Sequence, residues 1–262
     1  MRISGKTKVC FIVADPIEHV KTPEKFNALC QEEGIDAVMV PAHVHSDCLE
    51  SFVKSLSSMR NLAGFIVTVP HKTAMSHLCD QLTADARCAQ ATNVVRRTSD
   101  GRYHGYILDG KGFVAGLREN GFEPKGRSVY LVGSGGAASA IAFALAEENV
   151  ALITIFNRTV KKAEELVLSI KKEHPNIEVV LGSNNPAGHE LVVNATSLGL
   201  KNDDPLPFDT GELTKEQLVA DIIMDPSETQ LLKKAKSLGC MVQPGLPMLN
   251  NQLRLMIKTL GL

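Results

Sequence analysis

In "LVGSGGAASAIAFAL" an apolar run leads into Gly133, Gly135 and Ala138 at the spacing G-x-G-x-x-A, and an alanine-rich helical segment follows. Strand, glycine turn and helix in that order suit a dinucleotide pyrophosphate. Gly133 permits the tight turn, Gly135 lets the backbone approach the phosphates, and Ala138 allows helix and sheet to pack closely. Ser134, Gly136 and Ala137 complete the turn, where free N–H groups and the helix dipole attract an anion. A plain strand-to-helix turn is the alternative reading of the same glycines. The next strand, "ALITIFN", lacks at its end the Asp or Glu that accepts from a ribose 2′-hydroxyl. It runs instead into Asn157, Arg158 and Thr159, with Lys162 behind them. These are donors for a 2′-phosphate, which arginine pairs in bidentate fashion. The expected cofactor is therefore NADP, and an exposed basic helix start is the alternative.

A second stretch, "GFIVTVPHK" at residues 64–72, delivers Lys72 directly off the carboxyl end of a β-branched run. Taken singly, such a lysine is a solvated surface group, and Asp109 at the opening of a helical segment is an N-cap. His71 reads as a surface hydrogen-bonding group at a strand end, with a proton relay as the second reading. His43 and His45 have no further ligand at a useful spacing, so no metal is expected. Met224 and Met248 read either as apolar filling or as lining of a nicotinamide site.

The elements that must position these residues alternate between β-branched runs and helix-like periodic segments. "KVCFIVA", a helix opening at "TPEKF", "DAVMVPA", a helix after Ser46 and "GFIVTV" suggest βαβ units and a parallel sheet. Thr22 before Pro23 reads as an N-cap, and Gly34 can end that helix. "ATNVVRRTSDGRYHGYIL" reads as a hairpin turning at "SDG". The pattern then restarts with helices at 109–120, 136–147 and 159–173 among strands at "SVYLVG", "ALITIFN", "IEVVL", "ELVVNAT", "LVADII" and "CMVQ". A doubly wound sheet follows from that alternation. An amphipathic segment, "LPMLNNQLRLMIKTL", closes the chain.

The 262 residues allow one large domain or two small ones. Lys+Arg 28 against Asp+Glu 29 leaves no electrostatic reason to seek nucleic acid or an anionic membrane. A small-molecule partner is expected. Six scattered cysteines without a C-x-x-C pair, and no apolar run long enough to span a bilayer, point to reduced thiols and the cytoplasm.

Taken in order, "DPIEHVKTPEKFN", "GFIVTVPHK", "ATN", "LDG", "GSGGAA", "NRT", "NATSLG" and "GLPMLNNQ" resemble the shikimate dehydrogenase family over nearly the full chain. The resemblance implies an α/β fold with an N-terminal substrate domain at 1–104, completed by the C-terminal helix at 246–262. It implies a Rossmann NADP-binding domain at 105–245, with a cleft between the two. The implied reaction is reversible oxidation of a ring hydroxyl to a ketone. Lys72 matches the family's acid/base and Asp109 its carboxylate partner. Hydride transfer requires a proton to move to or from the oxygen, which a positioned ammonium can do. Thr196, Ile222 and Gly245 match further cofactor contacts, and Val20, Thr22, Thr68, Asn93 and Gln252 stand at substrate positions.

Several positions depart from the family pattern. Val20 replaces the first serine of H-S-x-S-P and Thr22 stands in for the second. Ile66 sits where Asn is usual, Ile107 and Leu108 replace an Asn-Thr pair, and Met224 replaces a tyrosine. Each of these except Thr22 removes a polar group, so shikimate, quinate or another cyclic hydroxy acid all stay open as substrate. A catalytically weak NADP-binding regulatory protein is the reading from another class. Oligomeric state stays open as well, with a homodimer as the candidate.

Overall fold

The computed structural model describes residues 2–262 and divides into two compact units, residues 2–108 with 252–262 and residues 109–251.

The first unit contains β1 (Lys8–Ala14), α1 (Thr22–Glu32), β2 (Ala37–His43), α2 (Leu49–Ser55), β3 (Leu62–Val67), α3 (Lys72–His77), β4 (Gln81–Leu82), α4 (Ala84–Ala89), β5 (Val94–Arg97) and β6 (Tyr103–Tyr106). Its sheet runs β2-β1-β3-β5-β6-β4, with β1 parallel to both β2 and β3. The β5–β6 pair is the expected antiparallel hairpin, closed by Gly101 at φ +86°. All six residues of central β3 are buried, which accounts for its unbroken apolar run. Each such aliphatic or aromatic side chain contributes ~1.5–3 kcal/mol. Gly64 on β3 admits a close neighbour, since a Cβ there would lie 2.9 Å from Leu260 Cδ2 of the C-terminal segment and 1.9 Å from the Val95 carbonyl.

Two expectations change here. Thr22 is not the N-cap: Lys21 takes helical dihedrals, its carbonyl accepts from the Lys25 N–H, and Thr22 is buried as the first residue of α1. The other end of α1 is as expected, with Gly34 at φ +69° and the Ile35 N–H bonded back to the Cys30 carbonyl. His71 is not a surface group either. It is 1% exposed, and its Nε2 lies 2.7 Å from the Val44 carbonyl just beyond β2.

The second unit contains α5 (Asp109–Glu119), β7 (Ser128–Val132), α6 (Gly136–Glu147), β8 (Leu152–Phe156), α7 (Val160–Glu173), β9 (Glu178–Leu181), β10 (Leu191–Asn194), β11 (Leu218–Asp221), α8 (Gln230–Ser237) and β12 (Met241–Gln243). The final helix, α9 (Leu246–Leu260), begins here and passes into the first unit at Gln252. Every neighbouring pair in the sheet order β12-β11-β10-β7-β8-β9 is parallel. This is the doubly wound arrangement, with its switch point at β7 and β10, where ligands bind outside the carboxyl ends of the strands. Helices α5 and α6 meet backbone to backbone, because a Cβ at Gly110 would lie 2.2 Å from the Ala140 carbonyl. Among the described residues no helix is long and apolar enough to cross a membrane, and no group of three or more metal-binding side chains occurs.

Candidate active site

In the second unit, β7 delivers Gly133 at φ +117°. A Cβ at that position would lie 2.8 Å from the Ala195 carbonyl, so the turn after β7 lies directly against the loop leaving β10. Gly135 is the N-cap of α6, and a Cβ there would meet nothing within 4 Å. The Ser139 N–H makes the first helical bond, to the Gly135 carbonyl at 2.9 Å, so the N–H groups of the preceding turn have no intrahelical partner. Ser134, Gly136 and Ala137 lie in this turn, and Ala138 is fully buried against the sheet. Open backbone and a helix N-terminus at the switch point fit a pyrophosphate.

The loop after β8 holds Asn157, whose Nδ2 donates to the Thr159 carbonyl at 2.9 Å, with Arg158 and Lys162 exposed beside it. Thr159 occupies the N-cap position of α7 without using its hydroxyl as the cap. Three donor side chains and a cationic guanidinium fit a 2′-phosphate.

Across the switch point, three buried side chains join the loops after β10 and β11. Asn194 Nδ2 donates to Asp221 Oδ1 at 3.2 Å and to the Leu198 carbonyl at 2.9 Å. Its Oδ1 accepts from the Thr196 hydroxyl at 2.7 Å and the Thr196 N–H at 3.1 Å. Asp221 Oδ1 accepts from the Ile223 N–H at 3.1 Å, and its Oδ2 accepts from the Thr229 hydroxyl at 2.8 Å. Burial raises the Asp221 carboxyl above its ordinary range, against the pull of these hydrogen bonds. Gly245, ahead of α9, packs on the same loop, since a Cβ there would lie 2.5 Å from the Ile222 carbonyl. Thr196, Ile222 and Gly245 are thus tied into one framework. Sequence reasoning singled out those three and missed Asn194, Asp221 and Thr229. The signal available was a polar residue ending each of two otherwise apolar strands.

In the first unit, polar residues gather at the carboxyl ends of β1 and β3. The Thr68 N–H bonds the Val13 carbonyl at 3.1 Å, and the Thr68 carbonyl accepts from the His71 N–H at 2.9 Å, leading straight into Lys72 as the first residue of α3. The Lys72 carbonyl accepts from the Thr92 N–H at 3.0 Å, which sets Asn93 beside it. Asn93 is buried; its Nδ2 donates to Gln252 Oε1 at 2.9 Å and its Oδ1 accepts from the Leu108 N–H at 2.8 Å. That last bond fixes the chain one residue before Asp109. Lys72, Thr68, Asn93 and Gln252 therefore come together at one end of one sheet. Val20 and Thr22 stand at the same end, on the connection that follows β1, and Ile66 is buried within β3.

The profile of the shikimate dehydrogenase substrate binding domain matches residues 12–95, and that of shikimate / quinate 5-dehydrogenase matches residues 117–196. A shikimate dehydrogenase (NADP(+)) of Desulforamulus reducens is 40% identical over 95% of this chain and 88% of its own length. The chain belongs to the shikimate dehydrogenase family. A solved shikimate dehydrogenase in complex with NADP+ superposes with a TM-score of 0.91 at 31% identity, covering 100% of this chain and 92% of that one. A ligand-free 5-ketofructose reductase from Gluconobacter sp. is similar too, with a TM-score of 0.86 at 33% identity over 98% and 93% of the two chains. These similar proteins are thus named for two different substrates, shikimate and 5-ketofructose.

Proposed function

We propose that the protein is an NADP-dependent oxidoreductase that interconverts shikimate, or a close cyclic hydroxy acid, with its 3-dehydro ketone. The observation that carries this reading is the end-to-end similarity to NADP-dependent shikimate dehydrogenases in a chain that retains Lys72 and Asp109. The first unit serves the substrate and the second the cofactor. When bound, NADP supplies the hydride acceptor for oxidation and the donor for reduction. The Lys72 amine takes the hydroxyl proton as the alcohol is oxidised and returns it as the ketone is reduced, with Asp109 as its carboxylate partner. Thr68, Asn93 and Gln252 orient the substrate, and Asn157, Arg158, Thr159 and Lys162 select the 2′-phosphate. A cytoplasmic setting fits six scattered cysteines with no C-x-x-C pair.

Val20 and Ile66 favour a second reading, in which the substrate is a polyhydroxy ketone other than dehydroshikimate. The similar 5-ketofructose reductase shows that the fold serves such chemistry in a relative. The test is a screen of purified protein with NADP+ against shikimate and quinate, and with NADPH against 5-ketofructose, following absorbance of the reduced cofactor. Turnover of shikimate with a lower KM than the others supports the first reading; turnover of 5-ketofructose alone replaces it with the second. Silence on the whole panel would overturn both.

A further inference from the structure

Asp221 is 1% exposed, yet it is an acid at the end of a four-residue parallel strand, and the three groups that hydrogen-bond it are all neutral donors. A buried carboxylate without a cation is costly, so its retention calls for a reason beyond packing. Its partners sit on both flanking loops. Asn194 faces it in register across β10 and β11, and holds Thr196 through two further bonds. Thr229, itself 1% exposed, caps α8 by accepting from the Leu232 N–H at 3.3 Å while its hydroxyl proton goes to Asp221. A Cβ at Gly199 would lie 3.1 Å from Ile223 Cδ1 and 3.5 Å from Thr229 Cβ, so the two loops also pack on each other.

The direction in which a dinucleotide must lie tells which part of it these loops meet. The phosphate-selecting residues follow β8, on one side of the glycine turn after β7, whereas β10 and β11 lie on the other. With its pyrophosphate over the N-terminus of α6, the cofactor's adenosine half covers β8 and its nicotinamide half covers the β10 and β11 loops. Three strand spacings separate β8 from β11, roughly 14 Å at about 4.8 Å each, beyond reach of the adenosine phosphate.

We infer that Asp221 is a positioning residue for the nicotinamide end of the cofactor site. With Asn194 and Thr229, it fixes the backbone around Thr196 and Ile222 on which that ring must rest. The inference depends on the NADP reading given above.

The test compares binding of whole NADPH with binding of 2′,5′-ADP, which keeps the phosphate-selecting half and lacks the nicotinamide, by titration calorimetry. In Asp221→Ala, NADPH should bind about 10- to 100-fold more weakly, the order of one or two hydrogen bonds lost where the nicotinamide loops are no longer held, while 2′,5′-ADP changes less than about twofold. Asp221→Asn should recover most of the loss, because its oxygen still accepts from Asn194 and Ile223 and the Thr229 hydroxyl can turn to accept from the new amide. Should Asp221→Ala fail to fold, Thr229→Ala decides in its place, with the same selective loss at about 3- to 10-fold and full recovery in Thr229→Ser. Equal weakening of both ligands, or of neither, in a wild type that binds both overturns the inference and leaves the cofactor reading standing. A wild type that binds neither ligand overturns the two together.

Discussion

The two units differ in what their candidate sites are made of. In the second, the candidate site is mostly backbone: glycines at a turn, the first turn of α6, and two loops whose main chain is held by Asn194, Asp221 and Thr229. In the first, it is mostly side chain, with Lys72, Thr68, and the buried pair Asn93 and Gln252 at one end of the sheet. A backbone site tolerates sequence change as long as the turn geometry survives. A side-chain site changes with each replacement, and the departures at Val20 and Ile66 fall in that unit.

The comparison can be broken most sharply at Lys72. Lys72→Ala should lower kcat by ~10²–10⁴-fold with a smaller change in KM, and adding Asp109→Ala should cost far less than its single effect multiplied in. Steady-state kinetics on the two single variants and the double variant measure this, and an unchanged kcat in Lys72→Ala would remove the side-chain chemistry from the first unit.

In the second unit, Arg158 is the exposed side chain proposed to select the 2′-phosphate. Arg158→Ala should weaken NADP binding by ~1.5–3 kcal/mol, about 10- to 150-fold, and leave NAD nearly unaffected. Calorimetry with both cofactors separates loss of the 2′-phosphate contact from a general loss of the site.

A smaller effect sharpens the account of the substrate positions. Val20→Ser restores one hydrogen-bonding group and should lower KM for shikimate by about 2- to 10-fold, as a net hydrogen bond of ~0.5–1.5 kcal/mol allows. A rise in KM for shikimate, or a loss of activity toward 5-ketofructose, would mean that the apolar residue suits the true substrate.

The last prediction concerns stability alone. The folded-state pKa of Asp221 is raised chiefly by burial, so the native protein holds this proton more tightly than the unfolded chain does. The stability linked to that proton is present below the unfolded-state pKa and is lost as pH rises through the folded one. Denaturant unfolding across the carboxylate range should therefore show wild type losing stability relative to Asp221→Asn as pH increases. Parallel pH profiles would show that the hydrogen bonds fully offset the burial.

Much of the second unit was legible from sequence because its signals are contiguous. The run from β7 through Gly133 to α6, the donors at 157–159 and the alternation of strands and helices are all local patterns, set by backbone sterics and hydrophobic periodicity. Lys72 was locatable for the same reason, as the residue a buried strand and its turn deliver. Only the tertiary structure decided the rest. Gln252 meets Asn93 across 159 positions of chain, His71 is buried because its ring reaches the carbonyl of Val44, and Asp221 gathers donors from two other segments. The entry to α1 shifted from Thr22 to Lys21 because the helix starts where the backbone bonding starts, and the threonine side chain is buried instead of capping. Each of these depends on how buried polar groups find partners, and those partners lie on elements whose proximity no local pattern records.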